Sequence, residues 1–214
     1  MYLKFNSDVL WRSKNERLHD FLKSGLIGET ARGNCWLAGG AFRSMFDKND
    51  VLVDFDLFFS NELRKAEVSL DLEDMGYKCV FKCPKGELTT YMKHVNTDLE
   101  DAIMNNGSNM IKVQLISKTY YGSMENLLNT FDIDACRFAY DGEKFITTRR
   151  SIRSVKTKNI TLNQVEYPNA TFKRLLKYRD KGYKITNETI ESFTNSVWNM
   201  GLNRVALNGQ FYVD

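Results

Sequence analysis

The sequence predicts an α+β fold: a mixed sheet flanked by helices, with a short C-terminal helical extension. Two observations predict it. Strand-like and helix-like segments alternate along the chain, the pattern shared by α/β and α+β proteins. Within that alternation, residues 34–60 (NCWLAGGAFRSMFDKNDVLVDFDLFFS) set two short apolar runs on either side of a Gly-Gly turn and a short helix-like piece.

The elements follow in order. Residues 9–26 read as amphipathic, with Val9, Leu10, Leu18, Phe21, Leu22 and Leu26 on one inner face. Cys35–Ala38 is a strand that stops at Gly39 and Gly40, residues 41–46 form a short helix, and residues 51–59 form a second strand. Ser60 is placed to cap a helix over 61–75 that Gly76 ends. Residues 77–82 and 88–93 form a hairpin around Pro84, Lys85 and Gly86, and the polar stretch 96–109 reads as an insertion. A strand at 110–117, a helix at 123–131, and strands at 135–140 and 144–147 about an Asp141-Gly142 turn complete a first unit, 1–148. The remainder, 149–214, is a basic linker followed by helices at 170–181 and 187–200. The apolar tail at 206–213 would dock on its own domain or on a neighbour, and oligomeric state stays open.

Composition narrows the class. The 214 residues are 43% hydrophobic and 13% aromatic, ample for a packed core, and the formal net charge of +3 allows nucleic acid as a partner without requiring it. No apolar run approaches the roughly 18 residues that cross a membrane, and the N-terminus lacks the apolar core of a signal peptide. Cys35, Cys79, Cys83 and Cys136 are scattered, three of them in strand-like runs, which predicts buried thiols in a reduced, cytoplasmic protein. Cys79 and Cys83 lie four apart, but the only histidines are His19 and His94, so a zinc site lacks further ligands. The same scarcity of histidine argues against Ser/His or Cys/His catalysis.

The chemistry concentrates on Asp54 and Asp56. Residues two apart on a strand project from the same face, so the two carboxylates would stand together beside the Gly-Gly turn. Such a pair can hold Mg²⁺, and a glycine turn lets a phosphate approach the backbone, a combination that suits phosphoryl or nucleotidyl transfer. Backbone N–H groups of Gly39 and Gly40 would reach the phosphates of a nucleoside triphosphate (NTP), helped by the positive end of the helix starting at Ala41. Arg43 on its first turn could pair with a phosphate or with the acidic strand.

Strand, Gly-Gly, short helix, then Asp-x-Asp on the next strand resembles the DNA polymerase β-like nucleotidyltransferase superfamily. GGAFRS followed by DFDLFF looks most like the head domain of tRNA nucleotidyltransferases (CCA-adding enzymes) and bacterial poly(A) polymerases. Gly39, Gly40, Arg43, Asp54 and Asp56 match that motif position by position, while Ser44 replaces its usual acidic residue. FKRLLKYRDKGYKI, residues 172–185, is similar to the neck helix of those enzymes, so Arg174 and Lys177 are candidate acceptor or nucleotide contacts.

The resemblance implies an Mg²⁺-dependent enzyme that moves a nucleoside monophosphate from an NTP such as ATP to a hydroxyl, with RNA the expected acceptor. The chain leaves no room for tRNA-holding body and tail domains, so CCA addition itself is not carried over. The alternatives are nucleotidylation of a protein or small molecule, or an inactive fold that binds RNA or protein. A third carboxylate close to Asp54 and Asp56 would support chemistry; Gln114 facing them would favour the binding module. Asp132 and Asp134 are the nearest acidic alternatives, though turn and capping roles suit them better. Tyr178 and Tyr183 could stack on a base, and helix packing fits their spacing equally. The basic run Arg149, Arg150, Arg153, Lys156 and Lys158 could clamp an RNA backbone or form a solvated surface. The Lys/Asn richness and compact architecture suit a viral protein.

Overall fold

The computed structural model of the chain describes residues 1–12, 16–27, 34–47, 54–94 and 110–200. The expected strand start at 51–53, the insertion at 96–109 and the tail at 206–213 lie outside the described residues.

Among the described residues eight strands form one sheet: β1 (Tyr2–Asn6), β2 (Cys35–Ala38), β3 (Asp54–Phe59), β4 (Lys78–Lys82), β5 (Leu88–His94), β6 (Met110–Ile116), β7 (Phe138–Tyr140) and β8 (Lys144–Thr148). Their order across the sheet is β1-β8-β7-β2-β3-β6-β5-β4. β3 and β6 pair in parallel, and the other neighbours are antiparallel. Among the described residues the helices are α1 (Glu16–Lys23), α2 (Glu62–Asp74), α3 (Met124–Asn129), α4 (Arg149–Thr157), α5 (Pro168–Asp180) and α6 (Asn187–Asn199), with 3-10 turns at Ser7–Arg12, Gly40–Met45 and Asp134–Cys136.

Period-two alternation on β3 divides the molecule. Phe55, Leu57 and Phe59 enter the main core, where Phe21 of α1 stacks on Phe55 at 3.9 Å and Val68 and Leu72 of α2 are fully buried. Asp54, Asp56 and Phe58 take the other face. There Met124, Leu127 and Leu128 of α3 cover Trp36, Ala38, Phe58, Ala139 and Ile146. The carboxylates therefore lie on the face opposite the main core.

Several local expectations shift. Asn61, not Ser60, caps α2, accepting from the Arg64 N–H at 2.9 Å. Residues 135–136, expected to begin a strand, complete a 3-10 turn, and β7 starts only at Phe138. The basic stretch after Thr148 is helical at once, as α4, with Ser151, Ser154 and Val155 buried. Cys35 is buried as expected, whereas Cys79 lies exposed on edge strand β4 and Cys83 is half-buried. All four thiols are free.

Candidate active site

The site forms where β2 ends beside β3. Ala38 pairs with Asp56, and the next residue, Gly39, turns at φ 90°, ψ −141°. Side-chain-bearing residues rarely adopt such a φ. Space is tight as well, because a Cβ on Gly39 would sit 3.3 Å from Asp56 Oδ2, with Phe131 Cε2 in ordinary contact at 3.9 Å. At Gly40 the missing Cβ leaves room for Arg43, whose Nη1 would stand 3.0 Å from it.

Two expectations for the turn are corrected. The Gly39 N–H donates to the Phe138 carbonyl at 3.0 Å, extending the β2–β7 ladder, so Gly40 and not Gly39 is left to offer a backbone donor. The segment that follows is a six-residue 3-10 turn, too short for a helix macrodipole to contribute much. Arg43 is only 6% exposed. Its guanidinium donates to the Tyr178 hydroxyl and lies 5.1 Å from the centre of that ring. Tyr178 also meets Cys136 through its hydroxyl and Tyr183 edge-on at 5.1 Å. Both tyrosines are buried, which assigns them to packing rather than base stacking. Burial pushes the Tyr178 phenol well above its ordinary value of 10.0, so it stays neutral beside the guanidinium.

The carboxylates themselves are half-buried and face the next strand. Asp54 pairs across β3–β6 with Lys112, and Asp56 with Gln114. Lys112 Nζ lies 3.0 Å from Asp54 Oδ2. With its amide nitrogen turned toward the pair, Gln114 donates to Asp56 Oδ1 at 3.1 Å and to Asp54 Oδ2 at 3.2 Å. Gln114 thus occupies the position where a third acid was sought.

Asp132 and Asp134 do not supply that acid. Asp132 Oδ2 accepts from Thr171 Oγ1 at 2.7 Å and from Arg174 Nε at 2.8 Å, and Arg174 Nη2 pairs with it at 2.7 Å. Asp134, fully buried, holds Arg137 at 3.0 Å, Arg150 at 3.0 Å and Thr161 Oγ1 at 2.8 Å. Among the described residues, no three His, Cys, Asp or Glu side chains gather as a metal-binding group. Arg174, expected to touch nucleotide or acceptor, is thus tied to the head through Asp132, while Lys177 one turn on is exposed. Lys112 is the site's unforeseen member, and for Tyr178, expected to pack or to stack on a base, the contact with Arg43 is new. Alternation along KVQL puts Lys112 and Gln114 on one face, but nothing local announces that β6 lies beside β3.

The donor set suits a hard divalent ion. Two carboxylates share one strand face with an amide within reach, and such oxygen ligands are those Mg²⁺ takes, usually with water and phosphate completing the shell.

This sheet, turn and carboxylate strand have the fold of the head of CCA-adding enzymes. A solved CCA-adding enzyme in complex with ATP superposes with a TM-score of 0.65 at 14% identity, over 95% of this chain and 48% of that one. Its complex with CTP gives 0.63 at 15%, over 95% and 49%. The Thermotoga maritima CCA-adding enzyme complexed with tRNA gives 0.61 at 15%, over 93% and 47%. At these identities the likeness is one of fold.

Within that fold, the chain belongs to the Gabija anti-defense 2 family, whose model matches residues 12–158. A curated relative, "Gabija anti-defense 2" of Bacillus phage SPbetaL7, is 23% identical over 179 residues, covering 82% of this chain. The chain spans 40% of that relative's length.

Proposed function

We propose that this protein is a phage-encoded, Mg²⁺-dependent nucleotidyltransferase that works in the host cytoplasm against host defence. It moves a nucleoside monophosphate from an NTP to a hydroxyl on a host macromolecule. The observation that carries this reading is the placement of Asp54 and Asp56 on one face of β3, with Asp56 against a glycine whose Cβ would crowd it. Two like charges on one strand face repel each other, and a purely structural strand has no need of them.

We take residues 1–148 as the catalytic head and 149–214 as its basic, helical extension. Asp54 and Asp56 would hold the ion through their carboxylate oxygens. Gly39 keeps the space over Asp56 open, and Gly40 offers its N–H to a phosphate oxygen. Arg43 acts by holding the Gly-Gly turn against Tyr178 of α5. When bound, Mg²⁺ activates the acceptor hydroxyl and neutralises charge on the leaving pyrophosphate.

Likeness to enzymes solved with ATP, CTP and tRNA supports RNA as the acceptor, with Lys177 as a contact. Protein nucleotidylation, on a component of the Gabija defence, is a second reading supported by the family's description. Structure adds to that second reading, because Arg150, Lys158 and Arg174 are engaged by Asp134, Asp47 and Asp132. These ion pairs subtract charge from any RNA groove. Gln114 beside the carboxylates favours the binding module, yet that module leaves the retained acid pair without a role.

The test is transfer from NTPs labelled at the α-phosphate, supplied with Mg²⁺, into total RNA and into host lysate. Label in RNA supports the first acceptor, and label in protein the second. Failure to label either, by a folded chain that does not bind Mg²⁺-NTP, would leave the binding module.

A further inference from the structure

The residues beside Asp54 and Asp56 form a device of their own. β6 is anchored by Val113 and Leu115, both fully buried in the main core. Alternation then fixes Lys112 and Gln114 on the opposite face, next to the acids. Lys112 is a cation at 3.0 Å from Asp54 Oδ2, with the two side chains only 23% and 28% exposed. Gln114, 8% exposed, bridges both carboxylates with one amide nitrogen at 3.1 and 3.2 Å. Without a metal, the acid pair is therefore already neutralised in part by a tethered ammonium and joined by a donor.

A glutamine has two useful ends. With nitrogen inward it donates to carboxylates; with oxygen inward it presents a neutral oxygen to a hard cation. Lys112 has no second end: it competes with an incoming cation for Asp54, at a distance where opposite charges outside bulk water attract strongly. The site therefore carries net charge minus one, where a three-carboxylate site would carry minus three.

We infer that Lys112 is a built-in counter-cation, with Gln114 its neutral bridging partner, and that the pair couples metal occupancy to nucleotide binding. This rests on the part of the proposed function that has Asp54 and Asp56 bind a metal with an NTP, and not on turnover. Free divalent metal binds only weakly, because it must displace Lys112 with only two acids to receive it. A triphosphate brings its own anionic oxygens, gives Lys112 another partner, and leaves Asp54 to the ion. Gln114 then turns its oxygen inward. Metal and nucleotide each raise the other's affinity, since such coupling is reciprocal. Lys112 and Gln114 are positioning residues in this scheme.

The test reads Mn²⁺ binding by electron paramagnetic resonance, with no turnover needed. Four proteins, checked for folding by circular dichroism, are titrated: wild type, Lys112→Met, Gln114→Glu and Asp54→Asn/Asp56→Asn. Each is measured alone and with an ATP analogue that cannot be cleaved between its α- and β-phosphates. The expected result with Mn²⁺ alone is weak binding by wild type, binding tighter by about tenfold in each of the two β6 variants, and none by the double variant. The analogue should tighten Mn²⁺ binding more in wild type than in Lys112→Met. Lys112→Met and Gln114→Glu proteins that bind Mn²⁺ no tighter than wild type would overturn the inference. If wild type binds Mn²⁺-nucleotide but transfers nothing, the enzymatic reading fails and this one stands. Absence of Mn²⁺ binding by all four proteins, with or without nucleotide, sinks both.

Discussion

Gly39 is the residue at which backbone and chemistry meet most closely. Its φ of 90° disfavours any side chain, and a Cβ would press to 3.3 Å from Asp56 Oδ2. Gly39→Ala should cost about 1–2 kcal/mol in denaturant unfolding, through backbone strain. It should also lower nucleotidyl transfer by more than that destabilisation explains. Gly25 provides the control, with φ 75° but nothing within 4 Å of an added Cβ. Gly25→Ala should lose comparable stability and keep its transfer rate; equal activity losses in both would refute a specific role for Gly39. At this scale the sequence was informative wherever chemistry is local. The alternation DFD places Asp54 and Asp56 together without any tertiary information, and Gly-Gly announces a turn. The contact of Arg43 with Tyr178 is not legible in the sequence, because Tyr178 lies far along the chain on α5. Lys112 was missed for the same kind of reason, since only the parallel β3–β6 pairing brings it to Asp54.

Among the elements, β2 was legible to the residue, because apolar Cys35–Ala38 is closed off by glycine. The hairpin β4–β5 and helix α2 were also recovered, their ends marked by Gly86 and Gly76. Two elements were not foreseen. β1 is a half-exposed edge strand with little apolar contrast, and only its pairing with β8 defines it. In α4 the buried positions are Ser151, Ser154 and Val155, so no row of large apolar residues betrays a helix. Its attachment is polar: Arg150 reaches Asp134, which also holds Arg137. This polar anchoring gives a prediction. Asp134→Ala should destabilise the protein by about 3 kcal/mol, because it strands the buried Arg137 guanidinium. Arg150→Ala should cost far less, since the Arg150 side chain is 60% exposed and solvent screens its pair. Paired denaturant melts check this, and a larger loss for Arg150→Ala than for Asp134→Ala would contradict it.

Across the whole molecule, buried acids that stay neutral set an alkaline limit. Burial pushes the Cys35 thiol from an ordinary value of 9.0 up to about 12, and the Tyr178 phenol is raised as well. The folded state therefore holds these protons more tightly than the unfolded state. Their stabilisation is complete below pH 9 for Cys35 and is lost as pH climbs toward about 12. Unfolding free energy should fall with rising pH in this range, and Cys35→Val should flatten the fall without changing the profile at neutral pH. An identical alkaline slope in Cys35→Val would remove Cys35 from that account.

The architecture at this scale was predicted as an α+β head because strand and helix signals alternate. The eight-strand order and the parallel β3–β6 contact come from long-range packing that no local pattern encodes.

The most direct measurement compares ATP labelled at the α-phosphate with ATP labelled at the γ-phosphate, each incubated with host RNA and lysate, with wild type and with folded Asp54→Asn/Asp56→Asn protein. Nucleotidyl transfer predicts that α-label becomes covalently attached to a macromolecule, that γ-label leaves as pyrophosphate, and that the double variant attaches neither. Attachment of γ-label, or α-labelling that survives loss of both aspartates, would contradict it.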